Sequence, residues 1–319
     1  MKQIDVSVPM MTYFHEKYIS QAIDSVLSQI TTFSYEIVIS DDCSTDRTRE
    51  ILLQYKNRYP DIIKLNFNET NMGISMNNYL TRSLCKGRYI IPLSGDDYWI
   101  DNTKLQKQVE FMDSHPEFFS SVTSVEARYD DDTAPFLISP QKKYRGKVIT
   151  LEMYLQGATI CTHGLIMRNA YLTKEGRDYF SLVYKASKYV DDSTECILML
   201  KKSPIFSMDI CTVAYRVHRS KKGNNNYNSS NSVITHVKKM VDLYNYLDRE
   251  FKGNINFFNL YKKNMAKIIP YSLLRGCVKD MHGIYLSIPD HYKKRNLMAR
   301  SCINSVVVII NALYRKIRK

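Results

Sequence analysis

The sequence contains little glycine or proline, with 11 Gly and 9 Pro among 319 residues. Hydrophobic residues make up 44% of the chain and aromatic residues 12%. This composition excludes a collagen-like repeat and a wholly disordered chain, because the first is rich in glycine and proline and the second is poor in apolar residues. A chain of this length can form one large α/β domain, or one domain of roughly 200–250 residues with an extension.

Cysteine pairs and long apolar runs are also missing. The seven cysteines include no Cys-x-x-Cys pair and no spacing typical of a zinc site. No apolar run approaches the roughly 18–20 residues that a membrane-spanning helix needs. The chain leads into a strand-like segment at Ile4–Val8 without the apolar region of a signal peptide. We therefore expect a protein of the reducing cytosol.

Positive charge is distributed unevenly along the chain. The 45 Lys and Arg residues exceed the 32 Asp and Glu residues by 13. Residues 252–319 contain 14 of the basic residues and only two acidic ones, whereas the first 251 residues are nearly neutral. A positive excess can indicate a nucleic acid, an anionic membrane surface or a polyphosphate ligand. No recognisable RNA- or DNA-binding module surrounds these charges, so we do not predict nucleic-acid binding.

The first half of the chain alternates between strand-like and helix-like segments. Short apolar stretches typical of buried strands lie at Ile4–Val8, Tyr35–Ile39, Ile62–Phe67 and Tyr89–Leu93. Between them, apolar residues recur at helical spacing, as in Ile19–Leu27. This order predicts an α/β fold with a mostly parallel sheet and helices on both faces.

The second half is less regular. We predict strands at Phe118–Val125, Cys161–Met167 and Ile205–Val217, with a helix at Asp192–Lys201 before the last strand. The pattern becomes helical from Val233 to the end of the chain.

A polar, Asn-rich stretch separates the two kinds of pattern at Ser220–Ser232. We therefore divide the chain into an α/β domain at residues 1–220, a flexible Asn-rich loop at residues 221–232 and a helical basic region at residues 233–319.

Two pairs of adjacent aspartates follow predicted strands. Asp41 and Asp42 come after the second strand, and Asp96 and Asp97 come after the fourth. Ligands of open α/β sheets bind where the strands reach their carboxyl ends. Adjacent carboxylates repel each other unless a cation or a set of donors compensates them, and Mg²⁺ or Mn²⁺ prefers such oxygen ligands. One pair alone is more often a turn or a helix cap, but two pairs on strand ends of one sheet favour a site for a metal and a diphosphate.

The first predicted turn lacks the glycine-rich loops that bind phosphates in other nucleotide-binding folds. Pro9–Phe14 stands in place of both the Gly-x-Gly-x-x-Gly pattern of dinucleotide-binding folds and the Gly-x-x-x-x-Gly-Lys-Ser/Thr pattern of P-loop enzymes. A metal ion bound to a carboxylate loop would therefore have to hold the phosphates.

Four motifs in this order resemble glycosyltransferase family 2, whose members are inverting nucleotide-sugar enzymes of GT-A fold. The motifs are Val6–Tyr13 (VSVPMMTY), Ile39–Thr48 (ISDDCSTDRT), Asn71–Gly73 (NMG) and Ser94–Trp99 (SGDDYW). The resemblance covers residues 4–125 and then weakens. It implies the GT-A fold followed by a helical, basic C-terminal extension. It also implies a nucleoside-diphosphate sugar as donor, with UDP the expected nucleotide, and Mn²⁺ or Mg²⁺ as cofactor.

The resemblance also implies which residues form the donor site. Those expected to bind the nucleotide sugar are Pro9, Thr12, Tyr13, Asp41, Asp42, Asn71, Gly73, Asp96, His163 and Arg216. Asp41 would bind the edge of the base, and Asp96 would face the ribose or the phosphate. Asp97 would be the direct metal ligand, with Asp96 and His218 as further metal ligands. Ser94 stands where relatives often have an acidic residue, a departure that bears on one ribose or metal contact.

Two later motifs complete the resemblance. Asp191 and Asp192, at the start of a predicted helix, resemble the acidic motif that supplies the family's catalytic base, and we assign Asp192 to this role with Asp191 as second candidate. Inversion needs a carboxylate that takes the acceptor's proton while the diphosphate leaves on the other side. The alternative is a helix cap, a common position for aspartate. Tyr215–His218 resembles the Tyr-Arg-x-His motif of many relatives, and a hydrogen-bonded surface histidine is its alternative.

The C-terminal residues predict an amphipathic, basic helix. Its apolar face contains Ile303, Val306, Val307, Ile310, Leu313, Tyr314 and Ile317, and its basic face contains Arg300, Arg315 and Arg318. Such a helix can bind an anionic membrane surface, which suits enzymes that use lipid-linked acceptors at the inner face of the cell membrane. It can equally pack on the catalytic domain, and both interpretations stay open.

Together these patterns predict an inverting, metal-dependent glycosyltransferase. It would move a sugar to a glycan or lipid-linked acceptor in cell-surface polysaccharide synthesis. One alternative is a metal-dependent sugar nucleotidyltransferase, which the first turn disfavours because it lacks a glycine-rich loop with Arg or Lys. The other is a non-catalytic scaffold of the same fold at the membrane surface.

Overall fold

The computed structural model describes residues 4–129, 134–217, 233–275 and 277–302. The chain forms two compact units, the first consisting of Met1–Tyr154 and Ala158–Ser220 and the second of Leu155–Gly157 and Lys221–Lys319. His218, the Asn-rich loop at residues 221–232 and the apolar face of the predicted C-terminal helix all lie outside the described residues.

The first unit is built on a single sheet. Its strands are Val6–Thr12 (β1), Tyr35–Asp41 (β2), Ile63–Phe67 (β3), Tyr89–Ile90 (β4), Leu93–Ser94 (β5), Tyr98–Trp99 (β6), Ser120–Tyr129 (β7), Phe136–Ser139 (β8), Lys147–Ile149 (β9), Leu165–Arg168 (β10) and Ile205–Val217 (β11). The strand order is β3-β2-β1-β4-β10-β7-β11-β6, with β5 beside β1, β8 beside β7 and β9 beside β11.

Helices alternate with these strands. They are Ile19–Leu27 (α1), Thr48–Arg58 (α2), Ile74–Ser83 (α3), Lys104–Ser114 (α4), Leu151–Leu155 (α5), Lys174–Phe180 (α6), Leu182–Ala186 (α7) and Asp192–Lys202 (α8).

The predicted α/β fold is confirmed, and the sheet divides into two parts. In the first half of the chain, β1 pairs in parallel with β2, β4 and β5, and β2 pairs in parallel with β3. In the second half, β10 lies between β4 and β7 and is antiparallel to both, whereas β7 and β11 are parallel. The parallel pattern predicted from the first half therefore does not extend across the whole sheet. The predicted strand Cys161–Met167 begins later, at Leu165, because Thr162–Gly164 forms a 3₁₀ turn.

The core of the first unit lies around β1. Val6, Val8 and Met10 are completely buried and pack in one apolar cluster with Ile19 and Ile23 of α1. A strand covered on both faces explains why β1 reads as a nearly continuous apolar run. The core fixes the position of the strand end at Thr12.

A buried ion pair connects α3 to α8. Arg82 and Glu195 each expose only 1% of their side chains, and Arg82 Nη2 donates to Glu195 Oε2 at 2.9 Å. Arg82 also donates to the sulfur of Met167 at 3.5 Å. Because Glu195 lies in the first turn of α8, this pair fixes the N-terminal end of that helix.

The second unit is helical where it is described. Its helices are Val233–Glu250 (α9), Phe258–Arg275 (α10), Val278–Ser287 (α11) and Asp290–Lys293 (α12). The Tyr292 hydroxyl links three segments, because it donates to Asp248 Oδ1 at 2.8 Å and accepts from the backbone N–H of Phe257 at 3.1 Å. Within the described residues, no helix combines the length and the apolar character needed to cross a membrane.

We expect the Arg82 and Glu195 pair to be required for stability. Arg82→Met leaves the Glu195 charge buried without compensation and should lower the free energy of unfolding by about 3–5 kcal/mol, as measured by urea denaturation. The double variant Arg82→Met/Glu195→Leu should recover part of this loss. The matched control is Glu50→Gln, which breaks an exposed pair with Arg47 and should leave the midpoint nearly unchanged. Equal losses in the control and in Arg82→Met would contradict the prediction.

Candidate active site

The candidate site lies at the carboxyl ends of β1, β2 and β5. β1 and β2 run parallel in a register that pairs Thr12 with Asp41, and β5 pairs with β1 beside this point. Backbone hydrogen bonds tie the following loops to β1: Asp42 N donates to Thr12 O at 3.0 Å, and Gly95 N donates to Met11 O at 2.9 Å. The sheet therefore brings both aspartate pairs to one edge.

The carboxylate of Asp41 is engaged within the protein. It is completely buried and accepts hydrogen bonds from the Ser44 hydroxyl at 2.5 Å, the Ser44 backbone N–H at 2.9 Å and Arg49 Nε at 2.5 Å. Arg49 also donates to the carbonyl of Asn68 at 2.6 Å. These partners balance the buried charge and fix the loop after β2, so they compete with the direct contact to the base that was expected of Asp41.

Asp42 fixes the turn that precedes α3. Its two carboxylate oxygens accept from the backbone N–H groups of Met72 at 2.8 Å and Gly73 at 3.0 Å. Gly73 has a φ of +84°, and a Cβ there would lie 2.7 Å from the Lys188 side chain, so the turn requires glycine. Asn71 is exposed and donates to the Asp42 carbonyl at 3.3 Å. The buried carboxylate of Asp42 thus shapes the loop that carries Asn71.

The end of β1 carries a buried hydroxyl and an exposed aromatic ring. Thr12 is buried, and its Oγ1 has no hydrogen-bond partner within the described residues. Tyr13 is 39% exposed, with its ring 4.2 Å from that of Phe14. Pro9 is buried inside β1. Tyr13 therefore presents an exposed ring at this edge, whereas Pro9 and the buried Thr12 belong to the strand.

Asp96 is the accessible member of the second aspartate pair. Its side chain is 29% exposed and lies with Oδ2 3.8 Å from His15 Nε2. Ser94 Oγ donates to Asp96 Oδ1 at 2.6 Å. Burial alone would raise the pKa of Asp96, but the charge of His15 and the hydrogen bond from Ser94 outweigh it and lower the pKa. Ser94 thus orients the carboxylate that follows it by two residues.

Asp97 is buried, with only 1% of its side chain exposed. Its Oδ1 accepts from the backbone N–H of Arg216 at 2.8 Å, and its Oδ2 lies 3.0 Å from His163 Nδ1. Burial and the charge of Asp96 raise the pKa of Asp97 to about 7, against the opposing effect of His163. Burial would lower the pKa of His163, but Asp97 raises it above the usual value. Asp97 and His163 therefore form an ion pair whose carboxylate is buried and whose imidazole is partly exposed, and each group favours the charge of the other.

Arg216 supports the Asp96 loop from β11. Its Nε donates to the Asp96 carbonyl at 3.0 Å, and its Nη2 donates to Gln21 Oε1 at 2.5 Å. The guanidinium carbon also lies 4.8 Å from the centre of the Tyr18 ring. The side chain of Arg216, which was expected to bind the nucleotide sugar, is thus hydrogen-bonded to groups of the protein.

The third aspartate pair divides into a buried and an exposed carboxylate. Asp191 caps α8: its Oδ1 accepts from the backbone N–H of Asp192 at 3.0 Å, and its Oδ2 accepts from Asn78 Nδ2 at 2.6 Å. Burial and the charge of Asp192 raise the pKa of Asp191. Asp192 is exposed, and its Oδ1 accepts from Thr162 Oγ1 at 2.9 Å. Asp191 thus has the contacts of a helix cap, whereas Asp192 can reach a bound molecule.

Tyr215 lies close to the carboxylates of the Asp96 loop and to that of Asp192, the first residue of α8. Burial and the charges of Asp97, Asp96 and Asp192 all raise the pKa of its hydroxyl. Its ring also stacks on that of His163, with centroids 5.8 Å apart and planes 15° apart. The structure therefore brings the Asp96 loop and the start of α8 together, although about 95 residues separate them in the sequence.

Side chains of α4 and β7 hold the turn at residues 162–164 in place. The Gly164 carbonyl accepts from Gln108 Nε2 at 3.0 Å and from Thr123 Oγ1 at 3.2 Å, and a Cβ on Gly164 would overlap the carbonyl oxygen of Thr123. Gln108 in turn accepts from Nζ of the fully buried Lys104 at 2.6 Å. Burial lowers the pKa of Lys104 to about 7. This chain of contacts holds the turn against α4 and β7.

Several partners in this site were not evident from the sequence. Arg49 lies in α2 and Asp41 at the end of β2, so the periodicity of a single element does not relate the two residues. Asn78 and Thr162 are distant in sequence from the aspartates that they bind. The nearest sequence signal for Thr162 is its position beside His163, which the motif comparison did single out.

We expect Lys104 to make stability depend on pH. Its pKa of about 7 in the folded state lies below the value of about 10.4 in an unfolded chain, so the unfolded state binds more protons between these values. The free energy of unfolding should therefore rise with pH from about 7 to about 10, by up to about 1.4 kcal/mol per pH unit. Below pH 7 both states hold the proton, so this contribution does not change with pH.

Denaturation of the wild type and of Lys104→Met at several pH values measures this effect. The difference between the two slopes isolates Lys104 from other groups that titrate in this range. Lys107→Met, which removes a partly exposed lysine of the same helix, is the matched control and should keep the wild-type slope. A Lys104→Met protein with an unchanged slope would refute the prediction.

Comparison with known proteins matches both the sequence and the fold. The sequence profile of glycosyl transferase family 2 matches residues 7–176, which is more than half of the chain. A UDP-Glc:alpha-D-GlcNAc-diphosphoundecaprenol beta-1,3-glucosyltransferase of Escherichia coli is 36% identical over 115 residues, covering 36% of this chain and 44% of that protein. The chain matches only about 28–44% of the length of the curated relatives that it resembles.

Solved structures agree over a longer stretch. TarS 1–349 of Staphylococcus aureus in complex with UDP-GlcNAc has a TM-score of 0.62 at 18% identity and covers 98% of this chain and 92% of that one. GalNAc-T7 with UDP, GalNAc and Mn²⁺ has a TM-score of 0.56 at 14% identity, covering 88% of this chain and 55% of that one. At such identities the likeness shows the fold, which is GT-A. The family match and the shared fold confirm the resemblance carried by the four motifs: this chain belongs to glycosyl transferase family 2.

Proposed function

We propose that this protein is an inverting glycosyltransferase that transfers a sugar from a nucleoside-diphosphate donor, with UDP the expected nucleotide, to a hydroxyl group. The observation that carries the proposal is the placement of an exposed, oriented carboxylate, Asp192, close to the loop of Asp96 and Asp97. An inverting transfer needs these two features on opposite sides of the sugar: a base for the acceptor and a charged site for the diphosphate.

Asp192 acts as the base in this proposal. Its carboxylate is accessible, and the hydrogen bond from Thr162 occupies Oδ1 and leaves Oδ2 for the acceptor hydroxyl. As the acceptor oxygen attacks the anomeric carbon, Asp192 takes its proton, and the bond to the diphosphate oxygen breaks on the other face. Asp191 keeps the role of helix cap, because both of its oxygens are engaged and it is buried.

The residues of the Asp96 loop fit a divalent cation. Carboxylate oxygens are hard ligands that suit Mn²⁺ or Mg²⁺, and GalNAc-T7 of similar fold is known with Mn²⁺. No cluster of three metal-ligating side chains occurs among the described residues, so the diphosphate and water would have to supply the remaining ligands. When bound, the cation would neutralise the charge of the leaving diphosphate.

The roles of Asp96 and Asp97 are exchanged relative to the sequence-based expectation. Asp96 is accessible and its pKa is lowered, so it is the ionised carboxylate that can ligate the cation directly. Asp97 is buried against His163 and the backbone of Arg216, and it holds the loop in place. His218 lies outside the described residues and stays a predicted ligand.

The nucleotide would bind at the end of β1. Tyr13 presents an exposed ring for the base, and the buried Thr12 next to it holds the end of the strand. Asp41 and Asp42 shape this pocket through Arg49 and the turn before α3. Their contribution to donor binding is therefore mainly structural.

The acceptor is proposed to be a glycan or a lipid-linked glycan. The Escherichia coli relative, whose name gives a diphosphoundecaprenol-linked sugar as acceptor, supports this class. The excess of basic residues beyond residue 251 supports peripheral binding to an anionic membrane surface at the site of such acceptors.

Substitution of the base should abolish transfer. We expect Asp192→Asn to lower kcat by at least about 10²-fold, because the acceptor proton has no base, with little change in the donor's dissociation constant. Asp191→Asn is the matched comparison: asparagine also caps helices well, so this variant should keep much more activity. Release of UDP from UDP-sugars in the presence of acceptor glycans measures transfer. The reverse order of the two variants would exchange the roles of Asp191 and Asp192.

Substitution at the second pair should separate metal binding from loop structure. Asp96→Asn should weaken the binding of Mn²⁺ in the presence of UDP by about 10-fold or more, because an ionised oxygen ligand is lost. Asp97→Asn should chiefly lower the melting temperature, because it removes the charge paired with His163. Titration calorimetry and thermal denaturation measure the two effects. Unchanged metal binding in Asp96→Asn would refute the assignment of Asp96.

The products of the reaction distinguish the proposal from other functions. A glycosyltransferase releases UDP, whereas a nucleotidyltransferase releases pyrophosphate, and a scaffold turns over no nucleotide sugar. An inverted anomeric configuration in the NMR spectrum of the product would establish the stereochemistry, and retention would overturn it.

A further inference from the structure

The three residues of the turn Thr162–Gly164 each make polar contacts with a different part of the first unit: the start of α8, the loop after β5, and the pair of elements α4 and β7. Thr162 Oγ1 donates to Asp192 Oδ1 at 2.9 Å, His163 Nδ1 lies 3.0 Å from Asp97 Oδ2, and the Gly164 carbonyl accepts from side chains of α4 and β7. The turn therefore links the carboxylate at the start of α8 to the loop after β5.

The first of these contacts is made by a rigid donor. Thr162 is 3% exposed and Asp192 is exposed, so the fixed partner is the threonine and the movable one is the aspartate. The backbone of the turn has little room to shift, because a Cβ on Gly164 would already overlap the carbonyl of Thr123. The hydroxyl is thus presented to Asp192 from a constant position.

An exposed aspartate in the first turn of a helix would otherwise sample several side-chain conformations. A general base must lie within about 2.6–3.2 Å of the group whose proton it takes, and only a fraction of those conformations would place it there. A hydrogen bond to one carboxylate oxygen selects one conformation and directs the other oxygen outward. The other carboxylate of the pair, Asp191, cannot substitute, because Asn78 and the backbone of α8 occupy it.

From this geometry we propose that Thr162 is a positioning residue for the base: its hydroxyl holds the Asp192 carboxylate in the orientation that accepts the proton of the incoming acceptor hydroxyl. This inference rests on the proposed function, since it deepens the role of Asp192 within it. Thr162 itself touches neither the sugar nor the diphosphate in this scheme, and its effect passes entirely through Asp192.

The test compares Thr162→Val, Thr162→Ser and Thr159→Val. Valine has nearly the shape of threonine but lacks the hydroxyl, and serine keeps the hydroxyl. Thr159 lies three residues earlier, and its Oγ1 has no hydrogen-bond partner within the described residues, so Thr159→Val is the matched control.

We expect Thr162→Val to lower kcat about 10- to 100-fold, as for loss of a hydrogen bond to a charged group, with donor KM unchanged. Thr162→Ser should restore kcat to within about 3-fold of the wild type, and Thr159→Val should leave it unaltered.

A second measurement separates positioning from a general effect on the fold. If Thr162 acts only through Asp192, Thr162→Val should cause no further loss in the Asp192→Asn background. Circular dichroism measures the folded fraction of each variant, and rates are expressed per folded molecule. The effect of Thr162→Val in the wild type can then be compared with its effect in Asp192→Asn even if valine lowers stability. The inference is overturned if Thr162→Val matches Thr159→Val, if serine fails to restore kcat, or if the valine variant lowers the residual activity of Asp192→Asn by the same factor as in the wild type.

The outcomes for the two proposals differ. A wild-type protein that transfers no sugar from any nucleotide donor overturns the proposed function, and the role of Thr162 with it. An active wild type that loses activity in Asp192→Asn but not in Thr162→Val supports the proposed function and overturns only the role of Thr162.

Discussion

A buried carboxylate must find a compensating partner within the protein, and this constraint organises the whole site. An uncompensated charge in the interior costs several kcal/mol or shifts its pKa until it is neutral. Each buried aspartate at the sheet edge accordingly has its own partner: Arg49 for Asp41, backbone N–H groups for Asp42, His163 for Asp97 and Asn78 for Asp191. Because each partner lies on a different segment, satisfying the charges also fixes the loops relative to one another.

The same constraint separates engaged from accessible carboxylates within two of the adjacent pairs. Asp97 and Asp191 are buried and bonded to their surroundings, whereas their neighbours Asp96 and Asp192 are accessible and each retains an oxygen without a strong donor. The buried member holds the backbone, and the accessible member is thereby presented at a defined place. In these two pairs the adjacent members have opposite environments, because successive side chains of a turn or helix start point in different directions.

Sequence patterns predicted the architecture of the first half well. Alternating apolar strands and amphipathic helices at residues 4–112 predict a parallel sheet, because a helix between two neighbouring strands usually returns the chain so that both strands run in the same direction. The second half could not be predicted as closely. The insertion of β10 between β4 and β7, antiparallel to both, and the 3₁₀ turn before it depend on pairing between distant segments that local periodicity does not encode. The choice of Asp192 over Asp191 as candidate base rests on motif position, and the sequence could not show that Asp191 is buried and Asp192 exposed.

The sequence by itself determined the order of the main elements in the first half, the family and the positions of the aspartate pairs, because these depend on local periodicity and on short motifs. Only the tertiary structure decided the environment of each aspartate: both members of the first pair are buried, whereas each of the other two pairs has one buried and one accessible member. That outcome depends on Arg49, Asn78, Thr162 and His163, whose partners lie 8 to 113 residues away in the sequence. Hydrogen bonds and ion pairs at such separations form only when the sheet has folded, since side chains reach a few ångströms and the chain must first bring them together.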